Sequence, residues 1–521
     1  MQSTSRFLAG AALVAASTTT ALAECQSMGG TIEAAMTTNA STMDPILSTT
    51  NASRQVSIYI FESLVTLDDA YQPIGQLAED WERSENGLSY IFHLRENVPF
   101  HNGDILDADD VTASLQRFLA SSPGAGRFDA VESVETVDPL TVRVTLSEDF
   151  PFITNLAMPS PVVAIMPKEI VDAAGSDEIR GEDIVGTGPF SLESWTPDVS
   201  IDLAKFEDYP TDERYEGPTG FGGARTACVD LVRLLPVTEE SSRVAGIQTG
   251  DFDYAEAISI TAVPELQESD EVNVEIVKPR WAIVLELDHR NPLMQNVAFR
   301  QALLAAIDPQ QVLLASAFGR EEYTRVQPSI FFPEQSGFYT EAGGDAYGTR
   351  DLDKVEDLLE EAGYDDEPVI YLTNQNYGWM FRASQAIAAQ WREAGINVQT
   401  ELMDWPSQIQ RAQTQDDWAV NQTGWSPRFD PFQVLTSIQC DSISAFGYCD
   451  DEMQELLATI SSGAEADERQ TAWEDIQQKI WDDVVVLRVG DYFEPEATRA
   501  GLTGYEPFYV TPRFWDVSKA E

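Results

Sequence analysis

Residues suited to acid–base or metal chemistry are scarce in this sequence, which has only three histidines among 521 residues. They are His93, His101 and His289, and none belongs to an H-E-x-x-H pair that could hold zinc on a helix. The G-x-S-x-G turn of serine hydrolases and the G-x-x-x-x-G-K-[ST] phosphate loop are also missing. His93 falls on the polar phase of a predicted strand and His101 in a predicted turn, so both are assigned structural or solvated positions. The pattern therefore indicates neither an enzyme nor a metal site.

Two further patterns carry little chemical information. The segment 186–190 (GTGPF) lacks the lysine of a phosphate loop, and Pro189 removes one backbone donor, so we predict a tight turn between two lobes. Carboxylate pairs occur throughout a chain with 87 Asp and Glu residues. Counting them neither supports nor excludes a secreted glycosidase that uses two acids.

The elements that must position any functional group follow from hydrophobic periodicity. Tyr90, Phe92 and Leu94 alternate with polar neighbours and predict a half-buried strand, as does the segment 141–146. Between them, Asn102-Gly103 predicts a turn, because this pair tolerates a positive φ. The helix that follows this turn has an apolar face made of Val111, Leu115, Phe118 and Leu119.

The second half of the chain predicts a strand–helix–strand unit. Asp308 and Pro309 suit the N-cap and first position of a helix. Another helix has apolar residues at helical spacing over 352–362 and ends at Gly363. A strand at 369–372, a helix near 383–394 stopped by Gly395, and a strand at 396–402 come next. Strands joined in this way pair in parallel, so we expect a mixed α/β architecture in more than one lobe.

The first 23 residues have the features of a secretory signal peptide. Arg6 precedes an apolar run of about ten residues, too short for a membrane span of about 20. The stretch closes with 21–23 (ALA), so we expect cleavage near Ala23 and an exported protein. A lipid anchor on Cys25 is the alternative, although Glu24 stands where lipoprotein signals require a small residue.

Composition limits the classes of partner. A chain of 521 residues is too long for one hydrophobic core, so two or three domains are expected. The formal net charge of −55 repels phosphate backbones and argues against a nucleic-acid partner. We interpret the acidity as a solvated surface that keeps an exported protein in solution.

Four cysteines, Cys25, Cys228, Cys440 and Cys449, allow three disulfide pairings in an oxidising compartment. Cys440 and Cys449 are close enough in sequence to close a short loop, which would leave Cys25 to pair with Cys228. We predict these two bonds.

Several segments, taken in order, resemble the extracellular solute-binding proteins of the peptide/nickel type, which include dipeptide- and oligopeptide-binding proteins. They are 41–45 (STMDP), 61–65 (FESLV), 77–81 (LAEDW), 90–95 (YIFHLR), 99–103 (PFHNG), 108–111 (ADDV), 186–190 (GTGPF), 299–303 (FRQAL) and 306–308 (AID). Each segment alone is weak evidence for the family, but the ordered set of segments spans nearly the whole chain. The cysteine arrangement also resembles that of dipeptide-binding members.

The resemblance implies a three-domain periplasmic-binding-protein fold (type II, cluster C-like) with two lobes around a ligand cleft. Domain I is expected to be discontinuous, comprising 24–55, 187–276 and 484–521. Domain II is expected at 56–186 and domain III at 277–483. The crossovers between lobes would form a hinge, and the ligand would be enclosed as the hinge closes.

The resemblance also places a ligand site. In peptide-binding relatives one tryptophan follows a strand and a second opens a G-W-x-x-D segment whose aspartate pairs with the peptide ammonium. Here Trp405 and Trp425 match the tryptophans and are predicted walls of the site. Arg428 stands at the position of the aspartate, and a guanidinium suits a ligand carboxylate rather than an ammonium.

Three more residues complete the predicted site, and alternatives remain open. Asp430 would take the ammonium if the loop is rearranged, and Tyr377 and Asn51 are further candidates by their loop positions. Arg428 is alternatively a structural partner of a nearby acid.

The function that follows is that of a monomeric periplasmic subunit of an ABC importer. It would capture a peptide or another amino-acid-derived solute and hand it to an inner-membrane permease, without catalysis, cofactor or metal. A secreted glycosidase or peptidase, and a nickel-chelate binder of the same family, are the alternatives.

Overall fold

The computed structural model describes residues 25–520 except 49, 160–161, 336, 436–437, 441, 443–444 and 462–465. The predicted signal peptide, 1–23, lies outside the described residues. We call residues 277–483 the second lobe and the remaining described residues the first lobe.

The strands are β1 Thr31–Met36, β2 Val65–Leu67, β3 Pro73–Gly75, β4 Ala78–Arg83, β5 Ser89–Leu94, β6 Val131–Asp138, β7 Thr141–Leu146, β8 Phe190–Thr196, β9 Ser200–Lys205, β10 Pro218–Thr219, β11 Gly222–Gly223, β12 Leu231–Pro236, β13 Tyr254–Ala255, β14 Val272–Leu287, β15 Thr324–Arg325, β16 Val369–Asn374, β17 Val398–Met403, β18 Val420–Trp425, β19 Val486–Arg499, β20 Leu502–Thr503 and β21 Ser518–Lys519.

The α-helices are α1 Asn51–Ile60, α2 Ala108–Ser121, α3 Phe152–Leu156, α4 Lys168–Ala174, α5 Glu240–Thr249, α6 Val263–Leu266, α7 Val297–Ala305, α8 Pro309–Ser316, α9 Leu352–Ala362, α10 Gly378–Glu393, α11 Trp405–Thr414, α12 Phe432–Leu435, α13 Asp451–Ser461 and α14 Ala466–Asp483. Short 3-10 helices occur at Pro45–Leu47, Ala125–Phe128, Gly181–Asp183, Glu321–Tyr323 and Gly344–Ala346.

One large mixed sheet runs through both lobes. Within the described residues its order is β17-β16-β18-β14-β19-β13-β1-β12-β9-β8, with β15 paired to β19. β14 and β19 are its longest strands, and they pair antiparallel along almost their whole length. These two strands therefore form the main backbone connection between the lobes.

A second sheet lies wholly in the first lobe. Its order is β4-β5-β7-β6, with every neighbouring pair antiparallel. Alternate residues of β5 and β7 are buried, and the helix α2 packs against β6. The half-buried strands predicted from Tyr90, Phe92 and Leu94 and from 141–146 are therefore confirmed.

The parallel unit of the second lobe is also confirmed. β16 and β17 pair in parallel, with α10 between them in sequence. Asp308 caps α8 by accepting a hydrogen bond from the Gln311 amide, and Pro309 is the first residue of that helix. Gly363 ends α9 in the left-handed conformation with φ +68°, which glycine adopts without strain. The mixed α/β fold is thus as predicted.

The predicted domain boundaries fall at different kinds of position. The boundary at 55/56 lies inside α1 and the boundary at 276/277 lies inside β14, whereas 483/484 falls between α14 and β19. The boundary at 186/187 lies in the segment predicted as a turn, where Gly186 and Gly188 pack so tightly on the end of α1 that a Cβ would clash with its carbonyls. The three-domain division remains a prediction.

Both predicted disulfides are present, Cys25–Cys228 and Cys440–Cys449. The first ties the described N-terminus to the segment before β12, and the second closes a short loop in the second lobe. In the part of the chain that the structure describes, no helix combines the length and apolar character needed to cross a bilayer.

Candidate ligand-binding cleft

A cleft of ≈ 740 Å³ opens where the two lobes meet. This volume lies within the range of about 300–1,000 Å³ that small-molecule sites occupy. Its lining residues come from both lobes and are Thr37, Thr38, Asn51, Arg54, Glu240, Arg243, Glu256, Ala257, Ile258, Ser259, Ile260, Arg280, Trp281, Phe318, Asn376, Tyr377, Gly378, Trp379, Arg382, Ser426, Tyr492, Glu494 and Val510.

Helix starts and a bulged strand bring the side chains to this cleft. Asn51 begins α1, whose N-cap Thr50 accepts a hydrogen bond from the Ser53 amide. Tyr377 is the N-cap residue of α10. In the β14–β19 ladder the register shifts between Val277 and Trp281, so residues 278–280 bulge out of the pairing. Bulges of this kind re-aim side chains, and here the bulge delivers Arg280 to the cleft.

Three aromatic rings form one wall. Trp379 stacks on Tyr492 with ring centroids 5.1 Å apart and on Trp281 at 6.4 Å. Trp281 lies on β14, Tyr492 on β19 and Trp379 in the first turn of α10, so the wall spans the connection between the lobes. Flat, rigid rings of this kind give a ligand apolar contact with little loss of side-chain freedom.

The charges of the cleft differ from those of the whole chain. Four arginines and three glutamates line it, whereas acids outnumber bases 87 to 32 overall. Arg243 donates to four backbone carbonyls between Val237 and Ala257, so it holds the chain rather than a ligand. Arg382 likewise donates from Nε and Nη2 to the Ser316 carbonyl. Two arginines, Arg54 and Arg280, remain for a ligand.

Arg280 belongs to a buried charge cluster. Its Nε donates to Glu494 Oε2 at 2.7 Å, and the Trp281 indole donates to the same oxygen at 3.0 Å. Burial lowers the pKa of Arg280, but Glu494, Glu256 and Glu496 raise it more, so the net shift is upward and the group stays charged. Glu256 is held by the Thr37 amide and hydroxyl and by Gln55.

The structure places two of the predicted site residues, Asn51 and Tyr377, directly on the cleft. A third, Trp405, begins α11 and is half-buried; its ring meets that of Tyr377 edge to face at 5.6 Å. The Trp405 amide donates to the side chain of Asn376, another lining residue. Tyr377 and Trp405 therefore lie together at the edge of the second lobe, and Asn51 lines the cleft from the first lobe.

Trp425 and Arg428 lie behind this surface. Trp425 is only 5 % exposed and packs in an apolar core of the second lobe with Ala282 and Val284. The Arg428 guanidinium is 5.6 Å from the Trp425 ring, and its Nε is buried with no hydrogen-bond partner in the described structure. Burial lowers the pKa of Arg428, an effect that Tyr509 and Glu286 partly oppose. Ser426 is the nearest residue in sequence that lines the cleft.

Asp430 already forms a salt bridge with Arg469. It is fully buried, and both of its carboxylate oxygens accept hydrogen bonds from Arg469 Nη2 at 2.8 Å. A carboxylate paired in this way is not free to receive a ligand ammonium in this conformation. Its place in the structure is that of a support for the loop after β18.

Phe429 links the two lobes. It belongs to the second lobe, yet it packs in the apolar core of the first lobe. Its ring lies 5.8 Å from Tyr71 and 5.1 Å from Tyr509. The loop after β18 thus carries an apolar contact that exists only while the lobes are together.

The histidines have structural partners, as the sequence indicated for His93 and His101. His93 pairs with Asp80, and His101 Nε2 is 3.0 Å from the Gly188 carbonyl. His289 Nε2 is 2.9 Å from the Val485 carbonyl. Burial lowers the pKa of His101 and of His289 to about 4, so both are neutral at pH 7. No group of three or more His, Cys, Asp or Glu side chains among the described residues is arranged to hold a metal ion.

Five residues that line the cleft were not predicted from the sequence, namely Arg54, Arg280, Trp281, Trp379 and Tyr492. A weak signal existed at 278–281 (KPRW), where a proline and two cations interrupt an otherwise apolar stretch. Nothing in the sequence near Arg54 or Tyr492 marks either residue, because the cleft forms only when distant segments pair.

The two lobes around a cleft with an aromatic wall define a class of ligand-binding proteins. A family model described as bacterial extracellular solute-binding proteins, family 5 (middle), matches residues 72–444. The chain belongs to this family, whose members are binding proteins rather than enzymes.

Individual relatives agree with this assignment. The chain is 26 % identical over 508 residues to a probable peptide ABC transporter periplasmic-binding protein, y4tO, from Sinorhizobium fredii, covering 92 % of each chain. It is also 26 % identical over 502 residues to the glutathione-binding protein GsiB of Pectobacterium atrosepticum, covering 90 % of each. The crystal structure of the ABC transporter substrate-binding protein CtaP from Listeria monocytogenes superposes with a TM-score of 0.84 at 19 % identity, covering 95 % of this chain and all of CtaP.

Proposed function

We propose that this protein is the periplasmic capture subunit of an ABC importer for a peptide or another amino-acid-derived solute. The observation that carries the proposal is the cleft of ≈ 740 Å³ between the lobes, lined by stacked aromatic rings and by arginines with free donors. Its size suits a short peptide or an amino-acid conjugate. The names of the relatives y4tO and GsiB, which refer to peptide and glutathione, support the same class of ligand.

The proposal includes the site, the location and the partner. Asn51 and Tyr377 contact the ligand, with Trp405 at the rim, while Trp425 and Arg428 support that surface from behind. The protein acts in the periplasm as a monomer after cleavage near Ala23, and its closed form is recognised by an inner-membrane permease. It needs neither cofactor nor metal and binds no nucleic acid.

Native mass spectrometry of freshly purified protein tests this function by weighing any solute that co-purifies. We expect a bound species in the mass range of a short peptide or amino-acid conjugate, released on denaturation. Turnover of glycoside or peptide substrates would instead support a secreted hydrolase. Calorimetry with nickel chelates and with peptides separates the two kinds of binding protein, and saturable binding of chelates alone would contradict peptide capture.

A further inference from the structure

Among the described residues, Arg54 and Arg280 differ from the other cleft arginines in each having a buried donor without a hydrogen-bond partner. Nη1 of Arg280 and Nε of Arg54 are buried and have no hydrogen-bond partner among the described residues. Arg280 is only 5 % exposed. A buried N–H without a partner is costly, so an arrangement with two of them at one cleft indicates a missing acceptor.

Arg280 is held so that one end of its guanidinium remains available. Nε is fixed by Glu494, and the guanidinium lies 5.5 Å from the Trp281 ring. A guanidinium donates in more than one direction, so Nη1 remains available although Nε is bonded to Glu494.

Arg54 reaches the same cleft from α1. Its Nη2 donates to the Asn51 side chain, and its guanidinium lies 4.9 Å from the Tyr509 ring. Burial lowers the pKa of Arg54 and so does the positive charge of Arg280, whereas Tyr509 and Glu256 raise it. The two guanidiniums therefore repel one another across the cleft.

An anion bound between two such cations would offset that repulsion and satisfy the free donors. It would also need a local cationic site, because the strongly acidic surface of this protein repels anions in general. Guanidinium forks match the planar geometry and charge of a carboxylate.

We propose that Arg54 and Arg280 form an anion subsite that receives a carboxylate of the ligand, so that the captured solute is a carboxylate-bearing one. This inference rests on the proposed function and specifies the ligand class of the same cleft. The carboxylate lies at the α1 side of the cleft, and the rest of the solute lies along the aromatic wall of Trp281, Trp379 and Tyr492.

The test uses the full mature chain, freed of co-purified solute, and two tripeptide libraries of identical composition. One library has free C-terminal carboxylates and the other has C-terminal amides, which keep the shape but remove the charge. Retained peptides are identified by native mass spectrometry, and affinities are measured by calorimetry on matched pairs. We expect the carboxylate member of each retained pair to bind about 30-fold tighter or more.

Arg54→Gln and Arg280→Lys should each bring this preference down toward one, since neither replacement offers the same fork. Arg392→Gln is the matched control, because that guanidinium donates to the Val398 carbonyl and does not line the cleft. It should leave the ratio between carboxylate and amide unchanged, whatever it does to overall affinity.

The outcomes separate this inference from the proposed function. Retention of neither library by the wild-type protein overturns peptide capture itself. Equal affinity for carboxylates and amides leaves peptide capture standing and overturns the anion subsite. A full carboxylate preference in folded Arg54→Gln and Arg280→Lys overturns the assignment to these two residues. The wild-type comparison stands even if a variant does not fold.

Discussion

Arg428 has no ion pair in the described structure, and this decides what its removal should do. Because no salt bridge is lost and only the contact with the Trp425 ring disappears, worth about 1 kcal/mol, we expect Arg428→Ala to melt only slightly below the wild-type temperature. A contact with a ligand carboxylate in a dry cleft would make this change cost on the order of 2–5 kcal/mol, or roughly 30-fold or more in affinity. Since Arg428 does not line the cleft, we expect a loss below about 1 kcal/mol, or about fivefold. Melting temperature and calorimetric affinity are measured on the same variant.

Two further substitutions at this position act as controls. A loss of roughly 30-fold in both Arg428→Ala and Arg428→Lys would reinstate Arg428 as the partner of a ligand carboxylate. In that case Arg428→Asp should admit peptides with a free ammonium. An early-melting Arg428→Ala that binds normally would show a structural role instead.

Glu496 gives the stability a dependence on pH. It is 3 % exposed and accepts a hydrogen bond from the Tyr505 hydroxyl. Burial raises its pKa to about 7, against an opposing effect of Arg280. Between pH 4.5 and 7 the native protein therefore keeps a proton that the unfolded chain releases, so ionisation penalises the native state as the pH rises.

Glu496→Gln removes this penalty and keeps the hydrogen-bond acceptor. We expect the variant to match the wild type near pH 4.5 and to exceed its free energy of unfolding by up to about 3 kcal/mol at pH 8. Denaturant titrations of both proteins at several pH values measure the difference. A constant difference from pH 4.5 to 8 would contradict the assignment to Glu496.

At the scale of single residues, the sequence predicted roles within one helix or turn better than roles in a site that distant residues form together. The cap at Asp308 and the left-handed Gly363 depend on neighbouring residues, and both were predictable. The structural position of His101 was also predicted, but its partner Gly188, 87 positions away, was not. Arg54 and Arg280 are 226 positions apart in the numbering, and only the tertiary fold brings them to one cleft. Hydrophobic periodicity along the sequence does not reveal contacts between residues so far apart.

The same division holds at the scale of elements. Helices with clear apolar faces, such as α2 and α9, lie where periodicity predicted them. By contrast, α10 begins at Gly378, five residues before the predicted start, at an N-terminus without a side-chain cap. β14 and β19 were not predicted as long strands, because buried central strands lack the alternation of half-exposed ones.

The two disulfides close loops of very different length and should differ in their contribution. Cys25 and Cys228 are 203 positions apart, whereas Cys440 and Cys449 are 9 apart. If each bond acts mainly on the unfolded chain, its loss costs on the order of 5 kcal/mol for the long loop and about 2.5 kcal/mol for the short one. Two double Cys→Ser variants, each lacking one disulfide, are compared with each other and with the wild type by denaturant unfolding. A larger loss from the short loop would rule out the chain-entropy explanation.

At the scale of the whole molecule, Phe429 is the contact that opening must break. Truncation of a buried phenylalanine costs about 3–5 kcal/mol. Here this cost destabilises the closed arrangement of the lobes relative to the open one. We expect ligand-free Phe429→Ala to have a larger radius of gyration than the wild type in small-angle scattering.

Ligand should in turn reduce the radius of the wild type, because it binds the closed state better than the open one. Phe118→Ala, in the core of the first lobe alone, is the control and should lower the melting temperature without changing the radius. An unchanged wild-type radius at ligand saturation would contradict hinge closure.

The position of β19 has a consequence for the time course of folding. It lies between β14 and β13 in the large sheet, yet it is made from residues 486–499, more than 200 residues after either partner begins. Until it arrives, β14 and β13 each have an unpaired edge, and the two halves of the sheet have no strand between them. Such long-range pairing makes folding slow. If the chain is exported as proposed, its earlier part cannot complete the central sheet before β19 has crossed the membrane, and it must remain unaggregated until then.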